Sequence, residues 1–160
     1  MKKENLIALL RITFGWIFLW AFLDKLFGLG FATTADKSWL AGGSPTSGFL
    51  ANAVKGPFVE VFHSMAGSPV VDWLFMLGLL GLGVALMLGV ALRFAGYAGA
   101  LLMFLMWIAL VPSSNNPIVD DHVIYFFLFL ILPHLKAGHT FGLGKWWDST
   151  ELVRKNQWLE

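Results

Sequence analysis

No cysteine occurs among the 160 residues. That absence excludes disulfides, thiolate nucleophiles, iron–sulfur ligation and covalent haem attachment, and with them any quinone-linked mechanism that runs through a cysteine pair. Charge is scarce too. Only 13% of the residues are charged, and eleven Lys and Arg against ten Asp and Glu leave a formal net charge of +1, so no global attraction to nucleic acid arises. The four histidines, His63, His122, His134 and His139, match no standard zinc spacing. Asp120, Asp121, His122, Glu60 and His63 are potential ligands for a divalent cation, but no spacing enforces a coordination shell, and no metal site is expected. His122 and His134 lie ~18 Å apart by helical rise, so non-covalent haem would need a histidine from another segment. GLGFAT (28–33) and GLLGLG (78–83) lack the strand–turn–helix setting of a nucleotide fingerprint.

What is present is apolar. Hydrophobic residues make up 58% of the chain and the mean hydropathy is +0.71, the composition of a membrane protein. A hydrocarbon core ~30 Å thick takes about 20 helical residues, and four runs approach that length, roughly 6–29, 72–92, 94–111 and 119–135. The expected fold is an all-α integral membrane protein, a four-transmembrane-helix bundle occupying residues 1–135, with a cytoplasmic amphipathic tail over 136–160. Lys2 and Lys3 ahead of an apolar run, with FATTA at 31–35, resemble a signal peptide. The run is longer than a signal core and carries Arg11, Asp24 and Lys25, so it reads as a span. Only Arg93 separates the second and third runs, which makes them a tight antiparallel pair. The positive-inside bias then gathers Lys2, Lys3, Arg11, Arg93, Lys136, Lys145, Arg154 and Lys155 on the cytoplasmic side with both termini, and leaves Lys25, Lys37 and Lys55 outside.

Small residues predict where helices approach: Gly78, Ala85 and Gly89 on the second run, Ala95 and Gly99 on the third. Residues 30–71 form a partly helical outer segment. Ser44 and Pro45 start a short helix bearing Phe49, Leu50, Ala53 and Val54, Gly56 and Pro57 end it, and a second runs from Phe58 to about Met65. Its apolar content favours contact with the mouth of the bundle, either as a lid over a site or as packing alone. In the tail, Asp148 and Glu151 have capping-box spacing. Trp146, Trp147 and Trp158 with Lys145, Arg154 and Lys155 suit a helix in the headgroup region or a docking surface for a soluble partner.

Ionisable groups at membrane depth are functional candidates by default. Arg11 shares a helical stripe with Gly15, Phe18, Phe22 and Lys25; Arg11 and Lys25 are also near enough to opposite surfaces to snorkel. Asp24 and Lys25 close the first run while Asp120, Asp121 and His122 open the fourth at the same inferred depth. Asp121 is aligned with Tyr125, Leu128 and Leu132, and His122 with Phe126 and Phe129. Asp120 caps the helix, where a carboxylate suits the macrodipole. Asp121 and His122 either mark the membrane border or serve a site. A quinone needs hydrogen-bonding groups at its ring oxygens and proton donors for reduction, and His122, Asp121 and Tyr125 beside Phe126 and Phe129 are of the right kinds.

The segments LLRITFGWIFLWAFLDKLFG, WLAGGSPTSGFLA, VVDWLFMLGLLGLGVALMLG and DDHVIYFFLFL together resemble the DoxX/DoxD family of small four-helix membrane proteins, over nearly the whole chain. SPTSGFL and DDH bring it nearest the DoxD branch. The resemblance implies a prokaryotic cell-membrane protein, the small subunit of a thiosulfate:quinone oxidoreductase that works with a DoxA-type subunit and passes electrons to membrane quinone. It also implies that Arg11, Lys25, Asp121 and His122 fill the family's recurrent polar positions. The expectation is a quinone-linked oxidoreductase subunit. His122 exchanges protons and Asp121 orients it; Lys25, Asp24, Tyr125 and Arg11 complete the binding set, Arg11 with a separate structural or electrostatic role at the inner side. The alternative is a noncatalytic accessory or assembly subunit of a respiratory or other membrane complex, in contact with other membrane subunits or with copies of itself.

Overall fold

The computed structural model describes residues 2–113 and 116–160. It contains eight α-helices among the described residues and no strand: α1 Lys3–Phe27, α2 Ser47–Asn52, α3 Val59–Ser64, α4 Pro69–Leu88, α5 Leu92–Leu110, α6 Asp121–His134, α7 Gly144–Ser149 and α8 Glu151–Lys155. Helices α1, α4 and α5 are long and apolar enough to cross a membrane. Helix α6 is shorter than the expected fourth run. It has 14 residues, ~21 Å of rise, because Asp120 caps its start and a reversal at Lys136 follows Pro133 in its last turn.

The boundaries follow local chemistry. Gly28, at φ +66°, ends α1 in the left-handed cap position, where a Cβ would sit 2.6 Å from Ala35 Cα. Pro69 stands in the first turn of α4, three residues before the expected start, and Gly89 at φ +73° ends that helix. The outer helices α2 and α3 form where their apolar spacing predicts.

Helix α1 lies along α4 and α5 along α6, with α4 and α5 joined by the short turn at 89–91. The close approach of α1 and α4 is made by Gly15 and Gly83, and not by Gly78. A Cβ on Gly15 would lie 2.7 Å from Leu86 Cβ and one on Gly83 2.7 Å from the Leu19 nitrogen, whereas Gly78 faces open space. On the other side Ala95 is buried and Gly99 receives the Phe129 ring, as the small-residue pair predicts. Phe129 then joins the two halves: its ring centroid is 4.7 Å from that of Phe14 and 5.1 Å from that of Phe18. Met76, Leu79, Leu82, Leu86, Met103 and Leu132 fill the remaining centre. Leu6, Leu10, Ile17, Leu77, Leu101, Phe127 and Ile131 point outward as an apolar band, the surface a lipid-embedded bundle requires.

The bundle has two dressed ends. At the cap end, residues 28–68 cross the termini of α1, α4 and α5, fastened by Asp24, by Asp72 and by a Lys55 N–H donated to the Ala109 carbonyl at 2.8 Å. At the tail end, residues 136–160 fold back. Trp147 Nε1 donates to the Leu159 carbonyl at 2.6 Å, the Arg93 side chain donates to Gln157 O and pairs with Glu160, and Trp158 meets Phe94 edge-on. The expected capping box is replaced. Thr150 caps α8 through Val153 N–H, and Asp148 turns to His139 instead.

Candidate functional site

Arg11 has no exposed surface. Its Nε donates to Ala137 O at 3.0 Å, one terminal nitrogen to Leu86 O and to Met87 O at 2.9 Å, and the other to Thr140 O at 3.4 Å and Phe141 O at 2.8 Å. A guanidinium has five N–H donors, and all five go to main-chain carbonyls. Two of those carbonyls end α4, where the helix dipole favours a cation; three belong to the chain that follows α6. Of the roles expected of Arg11 the structural one fits: the side chain clamps α4 and the tail onto α1, and its place in the quinone-binding set is corrected, because among the described residues all its donors are engaged.

Asp24 is corrected in the same way. It is buried, and its two oxygens accept Phe31 N–H at 3.2 Å and Ala32 N–H at 2.9 Å, holding the reversal that leaves α1. A second buried carboxylate went unnoticed in the sequence. Oδ1 of Asp72 accepts from Ser44 Oγ at 2.9 Å, Thr46 N–H at 3.1 Å and Thr46 Oγ1 at 2.6 Å. The legible signal was a lone acid in VVDWLF together with the hydroxyl-rich SPTS, since a carboxylate inside an apolar run has to find donors.

On α6 the imidazole is paired with the first acid, not the second. Oδ1 of Asp120 accepts the N–H groups of His122 at 3.0 Å and Val123 at 3.3 Å, while Oδ2 stands 3.0 Å from His122 Nδ1. Asp121 is exposed and makes no side-chain hydrogen bond or ion pair among the described residues. Asp120 caps the helix as expected and also takes the imidazole pairing expected of Asp121, which is a correction for Asp121. Asp120, projecting from the cap position, reaches over the first turn, whereas Asp121 lies within the helix and is turned away from the imidazole. Tyr125 packs edge-on against Phe14, centroids 5.1 Å apart.

Lys25 is half-buried and lines a cavity of about 200 Å³ beneath the cap, walled by Thr46, Phe49, Phe62, Phe75 and Met106 among others. Lys25 contributes the amine and Thr46 a hydroxyl; Asp120, Asp121, His122 and Tyr125 do not line it. Lys25 and His122 each lie seven residues from the Phe18–Phe129 ring pair, ~10 Å of rise, so they share a level of the bundle. They share no hydrogen bond or ion pair among the described residues. The expected cluster is therefore two separate places: an apolar cavity with an amine, and an acid–imidazole pair at the start of α6. No family model, curated protein or solved structure matches this chain. Chemically, the cavity suits a small, largely apolar molecule with a polar group that can meet Lys25 or Thr46.

Proposed function

We propose that the chain is a four-span membrane subunit of a quinone-linked oxidoreductase, with both termini cytoplasmic, and that it holds a quinone ring in the cavity beside Lys25. The observation that carries this reading is the cavity itself. Its walls are aromatic and aliphatic, and one amine supplies a donor for a ring oxygen. The similarity of SPTSGFL and DDH to the DoxD branch points the same way, and a thiosulfate-oxidising partner of the DoxA type would then supply the electrons. His122, held by Asp120 at the level of Lys25 but outside the cavity lining, would exchange protons in this reading only through intervening water.

The test is binding of a short-tailed ubiquinone analogue to the purified chain in detergent, followed by tryptophan quenching. Lys25→Gln should weaken binding about tenfold, the size of one lost hydrogen bond to a polar ligand edge. Ala109→Leu, which fills the cavity without touching the amine, should weaken it as well. Unchanged affinity in both variants removes the quinone reading.

A second reading, a noncatalytic accessory or assembly subunit, is favoured by a different observation. Arg11, Asp24 and Asp72 are all engaged in holding this chain's own backbone or hydroxyl groups. Isolation in mild detergent separates the two: a chain that elutes by itself and still binds quinone counts against the accessory role.

A further inference from the structure

Eight of the eleven Lys and Arg residues, but four of the ten acids, belong to the tail end of the bundle; the cap end holds three and six. Within that basic end lies a cavity of about 270 Å³ whose polar lining is Arg93, His134, Lys136, His139, Asp148 and Glu160. Two of the basic groups already hold an anion. His139 Nε2 is 2.7 Å from Asp148 Oδ2, and a terminal Arg93 nitrogen is 3.0 Å from Glu160 Oε2. Lys136 is in no ion pair among the described residues, and His134 uses only Nδ1, toward Leu130 O at 2.8 Å.

Lys136 carries a second signal. It stands at φ +49°, in the left-handed position after α6 where glycine is the usual choice. A lysine kept in that conformation brings an amine to the cavity wall, and backbone strain of this kind gathers at functional positions. Trp147 lines the cavity, and elsewhere in the tail segment Phe141, Trp146 and Trp158 are more than half exposed, as aromatic side chains at headgroup depth are. Basic pockets beside membrane helices recognise phosphate-bearing headgroups.

We propose that this cavity binds a phosphate ester, as carried by an anionic phospholipid headgroup or by a soluble phosphate monoester. Arg93, Lys136 and His134 hold the phosphate oxygens. The Glu160 carboxylate is an internal anion that the phosphate displaces from Arg93. This site lies at the opposite end from the Lys25 cavity and does not depend on it.

The experiment titrates the full chain in zwitterionic detergent with phosphatidylglycerol, phosphatidylcholine and glycerol phosphate, reading binding by native mass spectrometry and thermal shift. Phosphatidylglycerol should bind and phosphatidylcholine should not. The Arg93→Gln/Lys136→Gln double variant should bind about 30-fold more weakly, from two lost cationic contacts. Arg154→Gln/Lys155→Gln removes the same charge from α8, where neither residue lines the cavity, and should stay within about threefold of the parent. Glu160→Gln should bind more tightly, which keeps the proposal open to refutation even if the double variant fails to fold. Competition by glycerol phosphate assigns the site to a soluble ester, and its failure to compete assigns it to lipid. Equal losses in the two double variants, weaker binding in Glu160→Gln, or no binding of either phosphate compound overturns the proposal.

Discussion

At the scale of single residues, the buried charges of this protein work as fasteners. Arg11 joins Leu86, Met87, Ala137, Thr140 and Phe141 through carbonyl oxygens that no helical N–H satisfies fully at these chain ends. Lysine cannot replace that geometry, because an ammonium is a compact donor without the planar fork. Arg11→Lys should lower stability by about 3 kcal/mol, the cost of several buried acceptors losing their partners, and Arg11→Ala should lower it more. Thermal denaturation in detergent measures both. A lysine variant as stable as the parent would show that the clamp is not what holds the tail to the bundle. The position of Arg11 on a buried stripe was legible from the spacing of Gly15, Phe18 and Phe22. Its partners were not, because main-chain carbonyls in the turn after α6 have no signature in the sequence.

At the scale of elements, the α1–α4 contact rests on two glycines and the α5–α6 contact on Gly96 and Gly99 against Phe129. Gly83→Val should destabilise by about 2 kcal/mol or more through overpacking, while Gly78→Val, facing open space, should be near neutral. Melting the two variants side by side checks this, and equal losses would remove the assigned contact. Small-residue spacing picked the right pair on α5; on the second run, of Gly78, Ala85 and Gly89, it found a close approach at Gly89, against Gly138 and Arg11, but missed Gly83 and included Gly78, which faces open space. In a membrane helix the lipid-facing and protein-facing sides are both apolar, so periodicity alone does not say which stripe meets a neighbour. The outer segment was more readable. Pro45, Gly56 and Pro57 punctuate it, and Phe49 and Leu50 repeat at helical spacing, whereas its anchoring by Asp72 depends on two stretches 26 residues apart meeting in space.

At the scale of the whole molecule, charge is distributed between two ends separated by an apolar band, the asymmetry on which the proposed orientation rests. The lack of cysteine makes the orientation directly measurable. Ser64→Cys, exposed at the cap end, should react with a membrane-impermeant maleimide in intact cells, and Ser149→Cys, exposed at the tail end, should react only after permeabilisation. The opposite pattern would invert the proposed topology and place the phosphate cavity outside. The all-helical apolar architecture and the short outer helices were legible in the sequence, as were four apolar runs, of which three form helices long enough to cross a membrane. These follow from composition, from period and from punctuation by glycine and proline, which are local properties. Which polar groups meet was left to the fold: Arg11 with carbonyls, Asp72 with Ser44 and Thr46, His122 with Asp120, and Lys25 with Thr46 in a largely apolar cavity. Hydrogen bonds act over about 3 Å and have direction, so which pairs form depends on helix rotation and on the path of the chain between helices, neither of which the order of residues states.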